Sequence, residues 1–152
     1  MSARGLGNQY TGYHWIREST RYAIYYRDRD PKTGHFLCAW CLRRVWPWNP
    51  TKKVARRICL DHLVPVHMGG TNRPENVVTS CHLCNNQRRG QSWEDWRDSC
   101  NCDPLIESRI LERITRPLTK EERKAGLELS KAKKKGPRTW KSLMSHWSNN
   151  SS

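Results

Sequence analysis

Two Cys-x-x-Cys pairs, Cys38/Cys41 and Cys81/Cys84, constrain this chain more than any other feature. Each pair lets two thiolates bind one tetrahedral ion, and a set of four soft ligands selects zinc. Between Cys41 and Cys81 lie 39 residues, more than the ~15–20 of a common zinc ribbon. A metal held by both pairs therefore clasps a sizeable element, and the segment in the gap has its two ends fixed together. The staple suits the composition. Only 36% of the 152 residues are hydrophobic, and a small, polar domain has a limited core. The competing use of such pairs is redox disulfides, which belong to oxidising compartments. The first residues, MSARGLGNQYTGYHW, lack the apolar stretch of a signal peptide. The expectation is a cytoplasmic protein with one structural zinc ion per chain on Cys38, Cys41, Cys81 and Cys84. Cys59 reads as a small apolar strand residue. Cys100 and Cys102 have no assigned role.

The formal net charge is +14 and the isoelectric point about 9.9, which points to a polyanionic partner. Nucleic acid and an anionic membrane surface both satisfy that. No apolar run approaches the ~20 residues that span a bilayer. Much of the charge is concentrated late in the chain: residues 109–141 carry 12 Lys or Arg against 4 Glu. Within that stretch Lys131, Lys133, Lys134 and Lys135 form the densest cluster, suited to sequence-independent contact with phosphates.

Turn and cap signals divide the chain. Residues 1–17 read as a loosely ordered arm. A helix is expected from Glu18 to Arg29, with Ala23, Ile24 and Tyr26 or Arg27 facing inward. Asp30 to Gly34 is turn chemistry. Val54 to Leu60 suits a short buried strand, and Leu63 to His67 continues as a return strand or loop. Gly69 to Asn72 forms a turn. A helix starting at Asn86 carries Arg88 and Arg89, and Ser92 caps another that carries Trp93 and Trp96 into the core. Thr119-Lys120-Glu121-Glu122 is a capping box for a basic helix, which ends at Lys135-Gly136-Pro137. These signals predict a core domain over 18–103 and, beyond Pro104, a basic helical extension over 104–152 with a disordered end at NNSS.

The segment from Leu60 to Gly90, LDHLVPVHMGGTNRPENVVTSCHLCNNQRRG, holds an Asp-His pair, a Pro, a Gly-Gly turn, a lone Asn and a Cys-x-x-Cys followed directly by Asn. In that order these residues resemble the zinc-containing branch of the HNH endonuclease family. The resemblance extends back to RYAIYYRD at residues 21–28, which is similar to the short helix that often precedes the first Cys pair. It implies an α+β fold: a small ββα-metal core stapled by a four-cysteine zinc site, here with a basic helical C-terminal extension. It also implies hydrolysis of phosphodiester bonds, with DNA, in double-stranded form, as the expected partner. Arg88 stands where many members carry Lys, and Asn85 where some carry His.

Phosphodiester hydrolysis requires a base for the attacking water and a cation for the developing charge. Asp61 and Asn85 offer hard oxygen ligands suited to magnesium or another divalent ion. Neighbours on a strand point to opposite sides, so Asp61 can face the ion while His62 faces the water as general base. The unperturbed imidazole pKa of ~6.5 suits that task. The family resemblance gives Asn76 an architectural role, tying the loop between the strands to the base. Arg88 and Arg89 are expected to grip the scissile or an adjacent phosphate. Two other functions compete: a zinc-stabilised nucleic-acid-binding module whose nuclease site has decayed, and a branched-DNA (junction) resolvase. Intact Asp61, His62 and Asn85 argue against decay, and no strong heptad supports the dimer a resolvase needs. Small stand-alone proteins of this family are often carried by phages or mobile elements. Target sequence, nicking versus double-strand cleavage, and oligomeric state are not written in the chain.

Overall fold

Helix α1, Glu18–Arg27, opens with an acidic first turn and closes on a basic one, the polarity that complements its dipole. Every residue from Tyr22 to Arg27 is buried. A single inward stripe was expected. Burial all round follows from the position of α1, which packs against helix α4 (Lys120–Lys135) and against strand β2 (Val77–Cys81). The structure, a computed structural model, describes residues 16–46, 57–99, 107–108, 110–112 and 116–150. Residues 1–15 of the expected N-terminal arm, Trp48, and Cys100 and Cys102 lie outside those residues, while Ile16, at the end of that arm, is buried in the core.

Strand β1, Ile58–His62, pairs antiparallel with β2 in the register Ile58↔Cys81, Leu60↔Thr79 and His62↔Val77. The strand expected over Val54 to Leu60 overlaps β1 at Ile58 to Leu60 and stops two residues short of its end, and the return strand forms over Val77–Cys81 rather than Leu63 to His67. All five residues of β2 are buried. Its sequence, VVTSC, therefore lacks the polar–apolar alternation that marks a half-exposed strand. Between the strands the chain makes two 3-10 turns, Val66–Met68 and Pro74–Asn76. Helix α2, His82–Arg88, follows β2 without a linker. It begins at the second Cys pair, not at Asn86 as expected, because the Cys81 thiol caps it by accepting from the Cys84 N–H at 3.4 Å. Helix α3, Trp93–Ser99, is capped as its sequence predicts, with the Asp95 N–H donating to Ser92 Oγ at 3.2 Å. Trp93 stacks on Trp40 at a centroid distance of 5.1 Å, and Trp96 meets the same ring edge-on at 6.3 Å.

The Thr119–Glu122 capping box is formed in both directions. Glu122, Ala125, Gly126, Leu129 and Ala132 are the buried face of α4, a spacing that keeps one stripe on α1. Gly136 then breaks the chain with φ 112°, and α5 runs from Pro137 to Asn150, with Pro at a first helical position that needs no N–H. Trp140 of α5 is buried edge-on against Tyr22 and Phe36. These contacts cross the boundary expected near Pro104. Ile110, Ala125, Leu129, Ala132 and Trp140 belong to the same apolar core as Tyr22, Phe36 and Val77. The basic segment is thus a layer of the fold with a charged outer face, and the helix runs into the tail that was expected to be disordered.

Where α1 ends, it grips the hairpin. Arg27 and Asp28 form an ion pair with fully buried side chains, 2.8 Å apart. Arg27 also donates to the carbonyls of Pro74 at 2.8 Å and Val77 at 2.7 Å, and Asp28 Oδ2 accepts from the Thr79 N–H at 2.9 Å. A buried charge pair is tolerable when its hydrogen-bonding capacity is used in this way. The result fixes β2 at the level of His62.

Candidate active site and metal centre

The ligand atoms of Cys38, Cys41, Cys81 and Cys84 all lie within 4.8 Å of one another. Cys41 Sγ and Cys81 Sγ are 3.9 Å apart. Four thiolates at ~2.3 Å from a tetrahedral ion would stand about 3.8 Å apart, so the cluster has the dimensions of a metal site. Each pair is shaped by backbone. The first knuckle turns back through Leu42, held at φ 61°, with the Leu42 N–H on the Cys38 carbonyl and the Cys38 N–H on the Arg43 carbonyl. The second straddles the β2–α2 junction. The Cys38 thiol beside Cys81 pulls the Cys81 pKa down to about 7, while the neighbouring Cys41 and Cys81 thiols push Cys38 up. A cation would relieve that competition for protons. The four cysteines expected to act together are therefore brought together.

Asp61 and His62 end β1 and diverge as strand neighbours do. Asp61 is 8% exposed. Its Oδ2 accepts from Trp40 Nε1 at 2.9 Å, and its Oδ1 is 3.0 Å from an Arg88 nitrogen. Burial raises the pKa of the Asp61 carboxyl above the usual carboxylate value, and the Arg88 guanidinium pulls against it. Asn85 and Arg88 are three apart on α2 and share one face. Cys59 and Asp61 share one face of β1. Arg88 meets Asp61, and burial raises the pKa of the Cys59 thiol while the neighbouring Asn85 side chain pulls against it. Asn85 and Asp61 thus belong to the same strand–helix seam.

Arg88 itself corrects an expectation. Its side chain is 1% exposed. Beyond Asp61 it donates to the carbonyls of Leu63 and Gln91 and lies 5.2 Å over the Trp40 ring. A phosphate cannot reach a guanidinium so enclosed, and Arg88 instead locks α2 to the end of β1. Arg89, next along, is exposed at the left-handed end of α2. Lys131, Lys134 and Lys135 are exposed on α4. Lys133 leans back onto α1, with Nζ 3.9 Å from Glu18 and 5.7 Å from the Tyr22 ring.

Asn76 stitches the loop between the strands. Its side chain accepts from the Val64 N–H at 2.9 Å and donates to the carbonyls of Val64 at 3.1 Å and Thr71 at 2.8 Å. Gly70 permits the closure, since a Cβ there would lie 1.7 Å from the Val64 carbonyl oxygen. His62 is half-buried, and its Nε2 is 2.8 Å from Asn72 Oδ1. Sequence reasoning passed over Asn72, which reads as a turn residue after Gly-Gly-Thr. It also passed over Trp40, whose place inside the first Cys pair gives no hint that its indole holds Asp61.

No curated protein and no solved structure matches the chain. Residues 48–91 match the family model described as HNH endonuclease. That stretch contains both strands, the stitched loop, the second Cys pair and α2, so over these residues the hairpin and the helix that follows it are similar to the HNH endonuclease family, with a four-cysteine cluster beside them.

Proposed function

We propose that this protein is a divalent-metal-dependent endonuclease that hydrolyses phosphodiester bonds in double-stranded DNA, with a structural zinc ion on the four cysteines. The observation that carries the reading is His62. It sits half-buried at the end of β1, with one ring nitrogen fixed on Asn72 and the other free of hydrogen bonds among the described residues. A free imidazole nitrogen held in place is what a general base needs.

Asp61 and Asn85 supply hard oxygen atoms to one seam, the donor chemistry of magnesium. Each Asp61 oxygen spends one acceptor site on Trp40 or Arg88, and an ionised carboxylate has roughly four, so the residues fit such an ion. When bound, the ion neutralises charge on the phosphate and its leaving oxygen. The chain's own residues do the rest. His62 takes the proton from the attacking water. Arg88 and Trp40 hold the Asp61 carboxylate in one orientation, and Asn76 holds the loop beneath the base. Arg89, Lys131, Lys134 and Lys135 offer exposed charge to the DNA backbone, with the +14 net charge behind them.

The test is supercoiled plasmid incubated with purified protein and magnesium. Wild type yields nicked or linear product. His62→Ala retains DNA affinity and loses ~10²–10⁴-fold in rate, the usual worth of a general base. Cleavage by His62→Ala at the wild-type rate overturns the assignment.

A further inference from the structure

We infer that Asn72 is a positioning residue that fixes the tautomer of His62, holding the proton on Nε2 and leaving Nδ1 as the basic nitrogen. The catalytic meaning of this rests on the nuclease reading. The hydrogen bond itself does not.

Asn72 presents its carboxamide oxygen to His62 Nε2 at 2.8 Å. An amide oxygen only accepts, so the bond exists only if Nε2 carries the hydrogen. In a neutral imidazole the other nitrogen then holds the lone pair. When Nδ1 takes a proton from water, the ring becomes a double donor, and the Asn72 oxygen still satisfies Nε2–H. The partner is therefore matched to the ring before and after proton transfer, as a carboxylate would be, without adding a negative charge beside the phosphate.

The backbone at Asn72 is anchored. Asn76 Nδ2 donates at 2.8 Å to the carbonyl of Thr71, which belongs to the peptide group leading into Asn72. The same amide group is tied to Val64, two residues beyond His62. The Arg73 N–H donates to Thr71 Oγ1 at 3.4 Å. Asn72 is itself half-buried. One carboxamide, that of Asn76, thus spans the loop from the His62 side to the Asn72 side, and a second, that of Asn72, returns to the ring. Loss of Asn76 would reach the base through Asn72.

The experiment uses the full-length, zinc-loaded protein labelled with 15N at histidine. Imidazole N–H correlations are recorded cold, at a pH where the rings are neutral. The His62 signal is identified by its absence from His62→Ala. The expected result is a solvent-protected N–H on Nε2 of His62. It persists in Asn72→Asp, which keeps an acceptor oxygen, and is lost to exchange in Asn72→Ala. In plasmid cleavage Asn72→Ala lowers kcat by about 10- to 100-fold, the scale at which outer partners act on a site residue, with KM little changed. A protected N–H on Nδ1 in wild type, or a protected Nε2–H that survives in Asn72→Ala, overturns the inference. Should Asn72→Ala fail to fold, a wild-type N–H on Nε2 retained in Asn72→Asp upholds it, and an N–H on Nδ1 or the absence of any protected N–H overturns it. The spectrum needs no turnover, so a protein with the Nε2–H intact and no cleavage counts against the nuclease reading and leaves the hydrogen bond standing.

Discussion

Gly126 offers a test in which two ordinary effects have opposite signs. It lies inside α4, where Gly→Ala normally stabilises by ~1 kcal/mol through helix propensity and a less flexible unfolded chain. Here a Cβ would lie 2.2 Å from the Ser19 carbonyl oxygen and 2.8 Å from both the backbone nitrogen and the Cβ of Ala23. Ordinary carbon–oxygen contact begins at about 3.3 Å, and two of the three obstacles are backbone, which cannot rotate aside. The helices must part by about an ångström, a gap that already forfeits a quarter to a half of each dispersion contact. Ala125, Leu129 and Ala132 on α4 all lose in that separation. Overpacking costs typically ~1–3 kcal/mol, and with backbone in the way the upper end applies. Subtracting the propensity gain leaves Gly126→Ala destabilised by about 2 kcal/mol, or a melting temperature lower by roughly 4–8 °C in a chain of this size. Urea unfolding of the zinc-loaded protein measures it, with Leu127→Ala as the control, since Leu127 is 52% exposed and its loss should change stability by less than ~0.5 kcal/mol. A Gly126→Ala protein as stable as wild type, or more so, would refute the close approach of α1 and α4.

Metal removal should be equally plain: the purified protein carries one zinc ion per chain, and a strong chelator lowers the unfolding temperature, because the metal joins the first knuckle to the end of the hairpin. Metal analysis finding no zinc in folded protein would rule that out. Acid stability should depend on Glu122. Burial pushes its carboxyl up, but the paired bonds from Arg116 at 2.9 Å and from the Thr119 N–H prevail, and its pKa is lowered. A folded pKa below the unfolded one contributes stability that is present at neutral pH and lost as pH falls through and below the usual carboxylate value of ~4.3. Glu122→Gln should therefore be less stable than wild type at neutral pH and converge with it in acid; a gap that stays constant with pH would contradict this.

Signals that act within a few residues could be read in the chain. The Cys pairs, the Thr119–Glu122 capping box and the Ser92 cap each depend on spacing alone, and each forms. What could not be read depends on distant partners. Arg88 looks like any basic residue beside Arg89 until Asp61, 27 positions earlier, is seen against it. The β2 strand hides because α1 and α2 cover it, so VVTSC carries no alternation. The start of α2 hides because its cap is a thiol rather than one of the usual Ser, Thr, Asn or Asp side chains. The core face of α4 is mostly small residues, Ala125, Gly126 and Ala132, and the lysines around them read as a solvated tail. Small residues on a buried stripe signal close helix approach, but apolar periodicity does not register them.

The partnership of α1 with α4 also has a consequence for the order of events during synthesis. Tyr26 donates to Glu121, 95 residues later. At ~5–20 residues per second, α1 waits roughly 5–20 s for that partner to emerge. Throughout that interval the face of α1 that α4 will cover is open to solvent. Arg27 and Asp28 can meet the hairpin earlier, once Thr79 has been made, yet the helix that carries them is still half uncovered. A cell making this chain therefore completes the hairpin before it completes the platform on which the hairpin rests.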